Sequence, residues 1–281
     1  MKTKVKIERD GKVFYTIRSR YVFNMIMSNE DICLEFLRLV FPELQINSIG
    51  INTEQTMENR LGKRGVRLDV YIEEKDESRV IDMEMQVADD SSELPKRTRY
   101  YSSTIDGWLL KKNDDYEKLC DTIVLFICPF DPFGRGQRVY TFEHVCREDP
   151  SLMLPDGQQI KILNTVGVKG SISEKLQAVF DYITSDDGET EDSFAKKLKD
   201  MVSEINADAE RMGVVMTLDE EIRHRDRKWQ DKLDEKDALL EQSAVLLGQK
   251  DALLGQKDAL LGQKDALIAD LQRQIEELKA K

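Results

Sequence analysis

The spacing of apolar residues along the first part of the chain predicts an α/β fold. In residues 29–41 apolar side chains recur every three or four positions, as on a buried helix face, and Pro42 ends the pattern. Residues 66–73 and 79–87 alternate apolar and polar side chains across a polar turn, so they predict two neighbouring strands. The other predicted elements are the strand 46–51, the helix 92–111, the strands 122–128, 137–142 and 159–166, and the helices 173–184 and 191–212. The order therefore begins with a helix, three strands, a helix and a strand.

The C-terminal part of the chain repeats a seven-residue unit, and a strict period of seven favours a left-handed coiled coil. One core position of these heptads holds only leucine and isoleucine, from Leu233 to Ile275. The other is lysine or serine until Leu271, and three interspersed glycines each cost about 1 kcal/mol relative to alanine. We therefore divide the chain into a globular domain, 1–220, and a heptad-repeat helical tail, 221–281. The tail is interpreted as a coiled coil that joins copies of the chain, and the alternative is a loosely helical low-complexity segment.

The charge of the chain argues against a general coat for nucleic acid. There are 42 Lys and Arg against 54 Asp and Glu, a formal net charge of −12. Sequence-independent binding to phosphates needs excess positive charge, so any nucleic-acid binding must use a local basic patch or a metal ion. The four cysteines show no CxxC spacing and are interpreted as free thiols in a reducing cytosol. Because the chain has only two histidines, a His-rich zinc site is strongly disfavoured.

Hydropathy and the N-terminal residues argue against a membrane or secreted protein. The longest strongly apolar run, 123–128, is far shorter than the roughly 20 residues that cross a bilayer. Residues 1–8 are basic, but no apolar stretch follows them, so they do not resemble a signal peptide. We therefore expect a cytoplasmic protein with no membrane partner.

The two alternating strands each carry carboxylates on their polar face. Asp69 lies on this face of the first strand, and Asp82, Glu84 and Gln86 share it on the second. If the strands pair as a hairpin, Asp69 and Glu84 converge on one rigid sheet. Oxygen ligands held in this way suit a hard divalent cation, which can activate water and neutralise charge on a phosphate. The alternative is a half-exposed hairpin with ordinary polar residues on its outer face.

A basic segment precedes these strands and is the densest positive run near them. It contains Arg60, Lys63, Arg64 and Arg67, with two glycines between them. Such a segment suits phosphate binding, and the alternative is a solvated loop. It is not a P-loop, because the glycine spacing differs and no Ser or Thr follows the lysine.

Three segments of the sequence resemble the PD-(D/E)XK nuclease superfamily. They are Arg67-Leu-Asp-Val, Asp82-Met-Glu-Met-Gln and Lys96-Arg-Thr-Arg-Tyr-Tyr. More closely, they resemble the transposase-like recombination-promoting nucleases of bacteria, which carry Gln where the superfamily usually has Lys. Tyr21-Val-Phe-Asn and Met216-Thr-Leu resemble the opening and closing segments of that family, although Arg20 and Asn24 stand where Asp and Lys are usual.

The resemblance implies a restriction-endonuclease-like α/β fold, with an αβββαβ core and a mixed sheet followed by the helical tail. It implies Asp69 and Glu84 as metal ligands, helped by the Met85 carbonyl, and Gln86 as the third catalytic residue, at the position that orients the attacking water. Because Gln cannot carry a positive charge, the stabilising charge must come from the metal or another cation. The implied cofactor is Mg²⁺, with Mn²⁺ or Ca²⁺ as alternatives. Asp82 is a rival to Glu84, since both face the same way.

The basic segment and the resemblance together indicate DNA as the partner. The residues predicted to contact it are Lys63, Arg64, Arg67, Lys96, Arg97, Tyr100 and Tyr101. The resemblance also implies an upstream acid on the first helix, with Glu30 and Glu35 as candidates. We therefore predict a divalent-metal-dependent DNA endonuclease that acts in recombination, transposon-like mobility or phage defence and forms homo-oligomers through its tail. The alternative hypothesis is a catalytically degenerate nuclease-fold protein that acts through its oligomerising tail.

Overall fold

The computed structural model describes residues 4–9, 11–57, 66–75, 78–88, 91–185 and 189–217, Glu220, and scattered positions between 243 and 273. By its packing the chain divides into two compact units, Met1–Val215 and Met216–Lys281. Within the described residues, no helix is both long enough and apolar enough to cross a membrane.

The first unit is built from short strands and medium-length helices. The strands are β1 (Lys6–Arg9), β2 (Lys12–Tyr15), β3 (Ile49–Thr53), β4 (Thr56–Met57), β5 (Val66–Arg67), β6 (Val70–Glu74), β7 (Arg79–Met85), β8 (Asp121–Cys128), β9 (Val139–Phe142) and β10 (Gln158–Asn164). The helices are α1 (Arg20–Met27), α2 (Glu30–Val40), α3 (Leu94–Leu109), α4 (Glu174–Thr184) and α5 (Ser193–Ala207), with a 3₁₀ turn at Tyr116–Lys118.

Six of these strands form one mixed sheet in the order β3-β6-β7-β8-β10-β9. Neighbouring strands are antiparallel from β3 to β7, parallel from β7 through β8 to β10, and antiparallel again between β10 and β9. Helix α3 connects the parallel neighbours β7 and β8, because a parallel pair needs a long crossover. The sequence α2, β3, β6, β7, α3, β8 is the predicted αβββαβ core, and the predicted mixed-sheet α/β fold is confirmed.

The central strand β8 shows why the sheet needs helices on both faces. Every residue of β8 after Asp121 is buried, so its sequence is a continuous apolar run. Val124, Phe126 and Cys128 pack in one cluster with Leu94 of α3. Alternation turns the intervening residues of β8 to the opposite face. The α3 face is therefore the one that β7 shares through Asp82 and Glu84, which pair in register with Val124 and Phe126.

The predicted strand 66–73 is wrong in one respect, because it is broken in the middle. Leu68 donates its N–H to the Gln55 carbonyl, and the Asp69 carbonyl accepts from the Glu54 N–H. The first half pairs with β4 and the second half with β3 and β7, so the chain bends at Asp69 between two sheets. Asp69 thus lies immediately before β6 and not in the middle of a strand.

The predicted helix 191–212 is likewise interrupted. Helix α5 ends at Ala207, and a new helical stretch covers 209–217. Asp208 separates them, because its carboxylate accepts from the N–H groups of Glu210 and Arg211 and so caps the second stretch. The hairpin β1–β2 and helix α1 were not predicted, since elements of four to eight residues show too few repeats of the apolar period.

The described positions of the second unit have helical backbone, among them 246–248, 253–255 and 260–264. The described leucines there are half exposed in a single chain, from 49% for Leu254 to 65% for Leu246. The coiled coil itself remains a prediction.

Candidate active site

The bend before β6 brings Asp69 beside Glu84 of β7. The antiparallel register pairs Val70 with Met83, and the next positions along are Asp69 and Glu84. The Asp69 N–H donates to the Glu84 carboxylate (Oε1) at 2.8 Å, so the two residues are in direct contact. Both are almost fully buried, with 2% and 4% of their surfaces exposed. The structure therefore brings together the two carboxylates that the alternation pattern placed on one face.

Asp82 adds a third carboxylate to the same face of the sheet. It lies two residues before Glu84 on β7 and is completely buried. Among the described atoms, neither of its carboxylate oxygens has a hydrogen-bond partner. A buried ionisable group without partners is costly, and such groups concentrate at functional sites. We call Asp69, Asp82 and Glu84 the carboxylate cluster.

Two arginines from different helices contact the carboxylate cluster. Arg20, the first residue of α1, forms an ion pair with Asp69 through Nη2 and Oδ1. Its Nη2 also lies 3.4 Å from the Arg67 carbonyl, on the strand before the bend. Arg97 of α3 approaches from the other side, and its Nη2 lies 3.6 Å from Oε2 of Glu84.

Gln86 joins this site through Arg97. Arg97 Nη1 donates to Oε1 of Gln86 at 2.6 Å, and Nε2 of Gln86 donates to the Ala88 carbonyl at 2.7 Å. The guanidinium also lies over the rings of Tyr101 and Phe126, at 5.5 and 5.3 Å from their centroids, and Nη2 donates to the Tyr101 hydroxyl at 3.2 Å. Arg97 is therefore held from three sides with its charge next to Glu84.

Burial controls the electrostatics of the carboxylate cluster. It raises the pKa of Asp69 to about 6, although the charge of Arg20 opposes the shift. Burial, and then the neighbouring charge of Asp69, raises the pKa of Glu84 to about 8. Burial also raises the pKa of Asp82 well above its ordinary value, and the charges of Glu84 and Asp69 add to this effect. The cluster therefore retains protons near neutral pH unless another cation joins it.

The donor chemistry of this site fits a hard divalent cation. Its oxygens are carboxylates, and within the described part of the chain neither oxygen of Asp82 has a hydrogen-bond partner. The backbone N–H of Met85 lies beside the Asp69 carboxylate and lowers its pKa, against the effect of burial. Within the described part of the chain, however, no three acidic, histidine or cysteine side chains are arranged around a common point. The guanidinium of Arg20 contacts Asp69 instead.

A basic cleft of about 760 Å³ opens beside Arg97. Its lining includes four cationic side chains and a single acidic one, Glu93. The cations are Arg67, Lys96, Arg97 and Arg99. Tyr100 and Tyr101 line the same cleft. This is a local concentration of positive charge in an acidic protein, and it lies next to the carboxylate cluster through Arg97.

The structure places the other predicted site residues as follows. Lys63 and Arg64 lie outside the described residues. Glu30 and Glu35 are not brought to the carboxylate cluster, because they face lysines elsewhere, at 3.7 Å from Lys75 and 2.9 Å from Lys197 respectively.

Two cationic contributors escaped the sequence analysis. Arg99 follows Lys96 and Arg97 in one basic stretch, and its helical spacing from Lys96 could have marked it. Arg20 was noted only as a departure from the family pattern, and its contact with Asp69 spans 49 residues, which local patterns do not report.

Comparison with known proteins gives one match. No curated protein and no solved structure matches the chain significantly. A family model described as PD-(D/E)XK nuclease family transposase matches residues 18–241, which is most of the chain. That range contains the described carboxylate cluster and the basic cleft. The chain therefore belongs to the PD-(D/E)XK nuclease family of transposases.

Proposed function

We propose that the protein is a divalent-metal-dependent DNA endonuclease that hydrolyses phosphodiester bonds. The observation that supports this best is the buried carboxylate cluster, which contains an unpartnered Asp82 and lies beside a fixed arginine at a basic cleft. Buried carboxylates bind hard cations, and a basic cleft attracts phosphates, so the two features together suit phosphodiester chemistry.

In this proposal Asp69 and Glu84 hold the metal, with the Met85 carbonyl and the nearby Asp82 as further oxygen donors. The cofactor is Mg²⁺, with Mn²⁺ or Ca²⁺ as alternatives. When bound, the metal supplies Lewis-acid charge and lowers the pKa of a bound water. The low exposure of Asp69 and Glu84 excludes bulk water, which strengthens every electrostatic interaction in the site.

Gln86 and Arg97 act as a pair in this proposal. The amide of Gln86 carries no charge, but its oxygen fixes a guanidinium that does. Arg97 is held between that amide, the Tyr101 hydroxyl and two aromatic rings, so it meets a phosphate with little reorganisation. We assign Arg97 to stabilising charge on the phosphate oxygens, and Gln86 to positioning Arg97 and the attacking water.

The basic cleft is the proposed DNA-contacting surface. Arg67, Lys96 and Arg99 provide phosphate contacts, and Tyr100 provides an aromatic contact. Lys63 and Arg64 remain proposed contacts from the neighbouring basic segment. A protein with a net charge of −12 can bind DNA in this way, because only the local charge faces the phosphates. We propose a cytoplasmic location and a role in recombination, transposon-like mobility or phage defence.

The test is cleavage of supercoiled plasmid by the full-length protein in Mg²⁺ and in EDTA. We expect nicked or linear product only with Mg²⁺, and no product from Asp69→Asn or Glu84→Gln. Asp149→Asn is the matched control, because the exposed carboxylate of this residue accepts hydrogen bonds from nearby Ser151. Cleavage by Asp69→Asn at the wild-type rate, or equal cleavage in EDTA, would rule the proposal out.

The second candidate function is a degenerate nuclease fold that acts through oligomerisation. Two observations favour it, namely the ion pair that Arg20 makes with Asp69 and the half-exposed leucines of the tail. We propose homo-oligomers through the tail in either case, because a coiled coil would cover those leucines. Truncation before Glu235 should lower the mass in sedimentation, and an unchanged mass would contradict the tail assignment. An intact oligomer that neither binds Mn²⁺ nor cuts DNA would favour this second function.

A further inference from the structure

Arg20 is the cation in contact with Asp69, one of the three residues of the carboxylate cluster. Its Nη2 pairs with Oδ1 of Asp69, which is one of the oxygens that the proposed function assigns to the metal. The two partners differ in accessibility, since 31% of the Arg20 side chain is exposed against 3% of the Asp69 side chain. Asp69 is thus fixed in the protein interior, and Arg20 reaches it from the surface.

The two arginines of the site are held very differently. Arg97 has hydrogen bonds to Gln86 and Tyr101 and lies against two aromatic rings. Arg20 has the ion pair with Asp69 and one long contact to the Arg67 carbonyl, and its Nε has no hydrogen-bond partner among the described atoms. Arg20 is therefore the guanidinium that can leave the site at the smaller cost.

We infer that Arg20 is a built-in competitor of the divalent cation for Asp69, so that metal binding requires the guanidinium to move away from this carboxylate. The inference rests on the proposed metal-dependent function. The guanidinium occupies the approach to Oδ1 of Asp69 and offsets its negative charge, so a metal ion that binds this oxygen competes with it. Two cations beside each other in a buried site also repel strongly, because burial lowers the effective dielectric constant.

A purely structural role for Arg20 leads to the opposite expectation. In that case Arg20 would hold the bend between β5 and β6, through its contacts with the Arg67 carbonyl and Asp69. Removing it would then loosen Asp69 and weaken metal binding. The sign of the change in metal affinity therefore separates a competitor from a simple brace.

The test is Mn²⁺ binding to the full-length protein, followed by the electron paramagnetic resonance signal of free Mn²⁺. Every variant is titrated at the same pH, because protons compete with Mn²⁺ for the carboxylates. We expect Arg20→Met, which keeps the apolar stem, to bind Mn²⁺ at least tenfold more tightly than wild type. Arg20→Lys keeps the charge on a different head group and should fall between the two. Arg211→Met is the matched control, because this exposed arginine pairs only locally with Asp208, and its affinity should equal wild type.

Two measurements make each outcome decisive. Thermal unfolding by circular dichroism identifies any variant that fails to fold, and Arg20→Lys then carries the test. Unchanged or weaker Mn²⁺ binding by a folded Arg20 variant overturns the inference. If wild type still cuts plasmid in Mg²⁺, the proposed function survives that result. If neither wild type nor variant binds Mn²⁺ or cuts DNA, both fail.

Discussion

Lys161 and Asp82 are both buried ionisable residues of the central sheet. They lie on opposite faces of the sheet and differ in their hydrogen-bond partners. In register, Lys161 pairs with Leu125 of β8, and Asp82 pairs with the preceding Val124. Nζ of Lys161 donates to Glu43 at 2.8 Å and to the Val40 carbonyl at 3.3 Å, and it lies 4.2 Å from the centroid of the Phe41 ring.

Asp82 has no comparable set of partners. Neither of its oxygens is hydrogen-bonded among the described atoms, and its nearest charged neighbours include two more carboxylates. The same sheet gives the buried charge of Lys161 hydrogen bonds and an ion pair, so the absence of such partners at Asp82 is not a general property of this fold. We propose that a ligand completes the carboxylate of Asp82, which lacks hydrogen-bond partners among the described atoms. The comparison predicts that changes near Asp82 alter binding and chemistry, whereas changes at Lys161 alter stability.

The largest expected effect is on cleavage by Arg97→Ala. Loss of a fixed cation next to the reacting phosphate should lower the single-turnover rate by about a hundredfold, as removal of one preorganised donor does. Mn²⁺ affinity should change less than in the Arg20 variants, because the Arg97 guanidinium is held by Gln86 and Tyr101 at 3.6 Å from Glu84 and does not have to leave for the metal to bind. The measurement is single-turnover cleavage at saturating DNA. Arg99→Ala is the control, since this exposed cleft residue should weaken DNA binding without slowing the bound complex. A wild-type rate for Arg97→Ala would remove the function assigned to the Gln86 and Arg97 pair.

Local sequence patterns predicted the strands of this site better than its cations. Alternation on two strands fixes which side chains share a face, and a short turn fixes the register, so the convergence of Asp69 and Glu84 followed from the sequence. The bend at Asp69 did not follow, because it depends on hydrogen bonds to residues 54 and 55 from another strand pair.

Long-range contacts set the rest of the site. The pairing of Arg20 with Asp69 depends on where the fold places the start of α1, 49 residues earlier in the chain, and no local pattern carries that information. The position of Arg97 on α3 was predicted from the sequence, but its hydrogen bond to Gln86 was not. Local patterns therefore locate the carboxylates and the presence of Arg97, whereas the contacts of Arg20 and Arg97 with the cluster depend on long-range packing.

The second prediction concerns Lys161→Met, which keeps the apolar stem against Phe41 but removes the charge. We expect a loss of about 1–2 kcal/mol in the free energy of unfolding, because a buried charged group loses its hydrogen bonds and Glu43 loses its partner. Half of the Glu43 side chain is exposed, which keeps the loss moderate. Urea unfolding is the measurement, and cleavage should stay at the wild-type rate. Lys118→Met, in an exposed pair with Asp114, should be neutral. An equal free energy of unfolding for Lys161→Met and Lys118→Met would mean that the hydrogen bonds of Lys161 do not stabilise the fold.

The third prediction is the pH dependence of stability in the metal-free protein. Burial raises the pKa of Glu84 from 4.5 to about 8, so the folded state binds more protons than the unfolded state between these values. The free energy of unfolding should therefore be highest below about pH 4.5 as far as Glu84 is concerned, and this contribution should be lost as pH rises through 8. Urea unfolding at a series of pH values measures the slope, and Glu84→Gln should flatten it. If the free energy of unfolding rose with pH instead, and Glu84→Gln did not change that slope, the raised pKa of Glu84 would be ruled out as the cause of the pH dependence.

The smallest expected effect on stability is that of Asp82→Asn. This variant tests most directly whether Asp82, unlike Lys161, serves binding and not stability. Asn has the shape of a protonated Asp, and burial raises the pKa of Asp82 well above its ordinary value, which favours the neutral form in the metal-free protein. The free energy of unfolding should then stay within about 0.5 kcal/mol of wild type, as for a change that breaks no existing hydrogen bond. Mn²⁺ affinity should nevertheless fall by about tenfold, because an anionic donor is lost when the cation binds. Asp114→Asn serves as the control for added amide groups, since its carboxylate is partly exposed and pairs with Lys118 outside the carboxylate cluster. A destabilisation above about 2 kcal/mol with unchanged Mn²⁺ affinity would mean that Asp82 stabilises the fold, as Lys161 does. The difference between the two faces of the sheet would then have no functional meaning.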